Sequence, residues 1–85
     1  MKHASERALR GSGRLLAKLR QFPLRERKLG VFYRGSSAFV HFHEDPLGIF
    51  AHMKTTCGWK RTAVNTAAEV RSFLSEVRAE IGERR

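Results

Sequence analysis

The sequence predicts an α+β fold: a four-stranded antiparallel β-meander with an amphipathic C-terminal helix on one face and a short N-terminal helix before it. Two observations carry the sheet. From Gly30 to Val64, β-branched and aromatic residues recur with period two. They are interrupted only by short turn-forming stretches, and short turns force antiparallel neighbours, because a parallel crossover needs about a dozen residues or more. A third observation carries the helix. Val70, Phe73, Leu74, Val77 and Ile81 fall at i, i+3, i+4, i+7 and i+11, which makes one apolar stripe.

Residues 1–10 are polar and basic with little to bury, and read as a flexible basic tail; 11–85 read as a single domain. Gly11-Ser12-Gly13 breaks any earlier helix. Leu15, Leu16 and Leu19 then recur at helical spacing, which predicts a helix over about 13–21 with Ser12 as its N-cap. Pro23 ends it, since proline disfavours helical geometry in the residue before it and has no N–H. Residues 24–28 read as a charged connector. Strands follow at about 30–34, 37–43, 48–54 and 59–64. Gly35-Ser36 is a tight turn, Asp45-Pro46-Leu47-Gly48 has the residue order of a type I turn, and residues 55–58 make the third. The last helix is expected over about 66–82. Thr66 and Glu69 are spaced as a capping box, Gly82 marks its end, and Arg84 and Arg85 suit the negative pole there.

Eighty-five residues bury one thin apolar layer, so an elaborate catalytic cleft within one protomer is not expected. The single cysteine, Cys57, forms no internal disulfide, which fits a reducing compartment. No run approaches the roughly 18 apolar residues of a membrane helix or the apolar segment of a secretory signal. The expectation is a cytoplasmic protein without a membrane partner.

The net charge is +9, and its distribution matters more than its size. Residues 1–28 hold nine Lys/Arg against two acids, a net +7, whereas residues 29–85 hold eight against six, a net +2. The polyanion signal belongs to a basic arm that includes Arg7, Arg10, Arg14, Lys18, Arg20, Arg25, Arg27 and Lys28. Such an arm binds phosphates nonspecifically or serves as a solvated, solubilising tail.

Alternation assigns the strand residues to two faces. Val31, Tyr33, Ala38, Val40, Phe42, Ile49, Ala51, Met53 and Val64 form an apolar face for the C-terminal helix. Phe32, Arg34, Phe39, His41, His43, Phe50, His52, Lys54, Trp59 and Arg61 form the other, on which aromatic, imidazole and cationic groups interleave. Four large aromatics on one face imply a cover: the N-terminal helix, a second subunit or a ligand.

Three kinds of chemistry are legible on that second face. Sheets that bind single-stranded nucleic acid present rings to bases and cations to the backbone. Here Phe39, Phe50 and Trp59 suit the bases, with Arg34, Lys54 and Arg61 at the phosphates. The same residues also suit a second apolar layer or a homodimer interface. His41 and His43, two apart on one strand, with His52 on the next, are candidate transition-metal ligands, or semi-buried polar residues bonded to their neighbours. No cofactor is implied. Catalysis has little support: Cys57 and Ser36 are turn residues without a nucleophile pattern, and Gly11-Ser12-Gly13 is no phosphate loop. The sequence leans away from an enzyme.

The strings Gly30-Val31-Phe32-Tyr33-Arg34, Ala38-Phe39, His41-Phe42-His43-Glu44-Asp45-Pro46, Gly48-Ile49-Phe50-Ala51 and Val64-Asn65-Thr66 resemble a family of small uncharacterised bacterial proteins. The resemblance spans about residues 25–80. It implies a bacterial cytoplasmic protein with an α+β fold, and it brings no activity and no residue role. The order helix, strands, helix also resembles double-stranded-RNA-binding domains. That family needs a lysine cluster where this chain has Asn65-Thr66-Ala67-Ala68-Glu69, so the assignment is rejected. The leading expectation is a non-enzymatic binding domain with nucleic-acid affinity through the arm and the His/aromatic face. The alternatives are a protein-interaction module or homodimer formed through that face, and metal or small-ligand binding at His41, His43 and His52.

Overall fold

A computed structural model describes residues 2–82, and the side chains of all of these except Lys2, His3 and Glu6. Arg84 and Arg85, expected at the pole of the last helix, lie outside the described residues. The elements in chain order are β1 (Lys2–His3), α1 (Glu6–Arg10), α2 (Gly13–Leu19), β2 (Arg25–Lys28), β3 (Val31–Arg34), β4 (Ser37–Asp45), β5 (Gly48–Thr55), β6 (Gly58–Ala63) and α3 (Ala67–Ile81). Strands β2 to β6 form an antiparallel meander in sequence order, and β1 pairs with the far end of β4.

The α+β class and the C-terminal helix are as expected, but the meander has five strands, not four. The extra strand is the charged connector, β2. Arg25-Glu26-Arg27-Lys28 has no apolar side, so hydropathy does not mark it. It forms an edge strand of the kind that charge keeps from pairing with other chains. Glu26 anchors it. The carboxylate accepts from Arg20 Nε at 2.6 Å and from the Gly30 N–H at 3.0 Å, and the guanidinium holds its pKa below the usual range.

Residues 2–10 are not a loose tail. The Ala4 N–H donates to the Phe42 carbonyl at 3.0 Å, and the Ser5 N–H donates to Glu44 Oε1 at 2.6 Å. The Ser5 hydroxyl caps α1 by accepting from the Ala8 N–H. Ala4 and Leu9 are buried. Leu9 lies so close to the turn at Gly30 (φ +76°) that a Cβ there would stand 2.9 Å from its Cδ1.

All the described helices with a buried side pack on one face of the sheet. Leu15, Leu16 and Leu19 of α2 and Phe73, Leu74 and Val77 of α3 join Phe32, Phe39, Val40, Phe42, Ala51, Met53 and Val64 in a single core cluster. Helix α3 is fixed at both ends. Thr66 and Glu69 make the expected capping box. The Asn65 carboxamide bonds both the N–H and the carbonyl of Ile49, tying the helix entry to β5. A Cβ on Gly48 (φ +133°) would stand 2.6 Å from Asn65 Oδ1, so that tie needs glycine. At the far end the Arg34 guanidinium donates to the carbonyls of Glu80 and Ile81, both at 3.3 Å, where the helix dipole is negative.

The facing of β3 and the start of β4 is the reverse of the alternation count. Phe32 is opposite Val40, but Tyr33 is opposite Ala38, so Phe39 is an extra residue in β4, a β-bulge. Phe39 therefore joins Val40 and Phe42 in the core, 3% exposed. Phe32, opposite Val40, is fully buried on the helix side. Val31 and Tyr33, expected under the helix, face the other way with His41. Alternation along Val31-Phe32-Tyr33 has no power to choose, because every residue there is apolar or aromatic.

Candidate functional site

The face away from the helices is open: none of the described elements packs across it. Sequence position sets its contents row by row. Strand β2 contributes Arg25, opposite Tyr33, and Lys28, opposite Val31, with Arg27 at the irregularity between Glu26 and Lys28. Strand β4 contributes His41 and His43, β5 contributes Phe50, His52 and Lys54, and β6 contributes Trp59 and Arg61. Directly opposed residues share a face. The ladder therefore stacks His41 on His52, His52 on Arg61, and Lys54 on Trp59.

Each aromatic ring of the open face carries a cation. The Arg27 guanidinium lies 5.0 Å from the Tyr33 ring centre, Arg61 lies 3.8 Å from Phe50, and the Lys54 ammonium lies 5.9 Å from Trp59. Trp59 is 47% exposed. A hollow of about 480 Å³ on this face is lined by Arg27, Lys28, Val31, Tyr33, Ala38 and His41. The acids are elsewhere. Among the described side chains of the sheet, Asp45 alone faces this way, at the corner, where Arg61 holds it at 2.9 Å. Glu26 bonds Arg20, Glu44 bonds the Ser5 N–H, and Glu69, Glu76 and Glu80 lie on α3. Glu76 is bound there to Lys60 at 2.6 Å.

The three imidazoles form the centre of the face. Ring centres stand 4.7 Å apart for His41 and His43, 5.3 Å for His41 and His52, and 4.3 Å for His43 and His52. Trp59 leans on His41, with centres 4.8 Å apart. One candidate ligand nitrogen from each histidine lies within 4.8 Å of the others. His52 Nε2 is shielded from solvent and has no hydrogen-bond partner among the described residues. Desolvation, aided by the Arg61 charge, lowers the His52 pKa below its usual value.

The structure redistributes the residues singled out from sequence. His41, His43, Phe50, His52, Lys54, Trp59 and Arg61 come together on the open face. Arg34 and Phe39 do not: Phe39 is core, and Arg34 stacks 5.7 Å from it while capping α3. Their places are taken by Tyr33 and Arg27. The basic arm divides as well. Arg25, Arg27 and Lys28 belong to the open face. Arg7, Arg10, Arg14, Lys18 and Arg20 sit on α1, α2 and the turn after it, where Arg20 is bound to Glu26. Lys18 lines a separate groove of about 370 Å³ with Gln21, Phe22, Arg71, Leu74 and Arg78. Sequence reasoning also passed over His3, which the ladder places opposite His43. Its signal was the fourth histidine itself, read as part of a tail.

Comparison with protein families, with curated proteins and with solved structures finds no match. No helix among the described residues is long and apolar enough to cross a membrane.

Proposed function

We propose that the protein is a non-enzymatic domain that binds single-stranded nucleic acid across the open sheet face. One observation supports this reading above the others: the exposed ring of Trp59 and the half-buried rings of Tyr33 and Phe50 are each coupled to a cation, while the described carboxylates are gathered on the other side or neutralised at the corner. Bases stack on ring faces and on guanidinium planes, and phosphates seek the cations beside them. A ring with its own cation offers both contacts at one place. Stacking accepts any base, so little sequence preference is expected.

A homodimer closed through the same face fits the charges poorly. A two-fold interface sets a patch against itself. It would set a patch carrying Arg25, Arg27, Lys28, Lys54 and Arg61 against the same patch of a second copy, with Asp45 as the one described acid on it, and like charges across an interface are costly.

The test is salt dependence. Five cations meeting phosphates of a single strand give a slope of log K against log salt of about −3.5, at roughly 0.7 per phosphate. Affinity for a labelled single-stranded oligonucleotide should then fall about 100-fold between roughly 50 and 200 mM salt. Absent or salt-insensitive binding at low ionic strength would remove the reading.

A further inference from the structure

The histidine cluster is left over by the nucleic-acid reading, since stacking and phosphate contacts need rings and cations but not imidazoles packed against one another. We propose that His41, His43 and His52 form a binding site for a divalent transition-metal ion of the zinc class. His41 and His43 lie two apart on β4 and share a face, and His52 is the direct partner of His41 on β5. The pairing from Val40–Met53 to Asp45–Gly48 runs without interruption, so the three side chains stand on a rigid ladder.

The distances suit an ion. Nitrogens bound to tetrahedral zinc at 2.0–2.1 Å stand about 3.3 Å apart. The candidate ligand atoms lie within 4.8 Å of one another, so each moves by less than about 1 Å to close on a metal. The rings are mutually tilted by 46–71° rather than stacked, which lets their edges converge. His52 Nε2, buried and without a hydrogen-bond partner among the described residues, is a polar atom with no assigned task, and burial in that state is costly. Three imidazoles without a thiolate suit zinc, copper or nickel, and not calcium or magnesium, which take oxygen. His3 occupies the register position beside His43, one strand from the trio. The site stands apart from the nucleic-acid reading, and the failure of either leaves the other in place.

The experiment uses the full chain, stripped of metal and free of nucleic acid. Titration with Co²⁺ should give saturable one-to-one binding with the intense visible absorption of a low-coordinate site, displaced by Zn²⁺. Trp59, against His41, should report the same event through quenching of its fluorescence by Co²⁺. His52→Ala and His52→Gln should each weaken binding more than about 100-fold, because loss of a ligand exceeds the effect of losing a supporting contact. Zn²⁺ should raise the thermal midpoint of the parent chain and leave both variants unmoved. Absence of saturable binding up to about 1 mM Co²⁺, or unchanged affinity in folded His52 variants, would overturn the proposal.

Discussion

Replacing Phe32 by alanine is expected to destabilise the protein by about 3–5 kcal/mol. Phe32 is fully buried, opposite Val40, in the cluster that includes Phe42, Phe73 and Val77. Removing its ring takes away a large transfer term and leaves a cavity that two strands and a helix close only in part. A chain of this length has a total stability of roughly 4–13 kcal/mol at the usual 0.05–0.15 kcal/mol per residue. The variant is therefore expected to be marginal or unfolded at ambient temperature. Urea unfolding measures the loss as a lower midpoint at unchanged slope. If the variant does not fold, Phe32→Leu keeps most of the volume and should cost less than about 1.5 kcal/mol, which leaves a measurable midpoint. The experiment also decides the facing of β3: a phenylalanine on the open face would be replaced at little cost.

Trp59 is the counterpart on the opposite side. Trp59→Ala should weaken single-strand binding by about 1–3 kcal/mol, or roughly 5- to 150-fold, the range for loss of one stacked base. The stability change should stay within about 1 kcal/mol. The indole is 47% exposed, touches the His41 ring and has the Lys54 ammonium near it. Those contacts hold it in place without burying it. Anisotropy titration and thermal unfolding of the same preparation separate the two effects. Equal affinity in the variant would take Trp59 out of the site.

The parts legible in the sequence are those set by short-range chemistry. The Asp45-Pro46-Leu47-Gly48 turn fixes which residues of β4 and β5 are opposed, so the juxtaposition of His41 and His52 follows from counting outward from it. The capping box at Thr66 and Glu69 and the apolar stripe of α3 are equally local. What alternation missed was set by events without a hydropathy signature. One inserted residue, Phe39, reverses parity and moves a phenylalanine into the core and Tyr33 out of it. The strand Arg25–Lys28 is charged on both sides, and its pairing shows only in backbone bonds. Residues 2–10 offer only Ala4, Ala8 and Leu9 as apolar anchors, too few to mark a folded segment by composition, yet the sheet edge and the Gly30 turn recruit them.

The same corrections answer what covers the second face. The N-terminal helices pack with α3 on the core side, and the His/aromatic side is left to solvent among the described elements. That arrangement changes the meaning of the net charge. The charge is divided between two separate surfaces: the open face, with Arg25, Arg27, Lys28, Lys54 and Arg61, and the helix side, where Lys18, Arg71 and Arg78 line a groove.

Residue-resolved mapping of a bound single-stranded oligonucleotide by amide chemical-shift perturbation separates those two surfaces. The account predicts the largest shifts along β2, β3, β5 and β6, at Arg27, Tyr33, Phe50, Lys54, Trp59 and Arg61, with the Trp59 indole N–H among them. A footprint centred on α2 and α3, at Lys18, Arg71 and Arg78, with the sheet face unmoved, would contradict it.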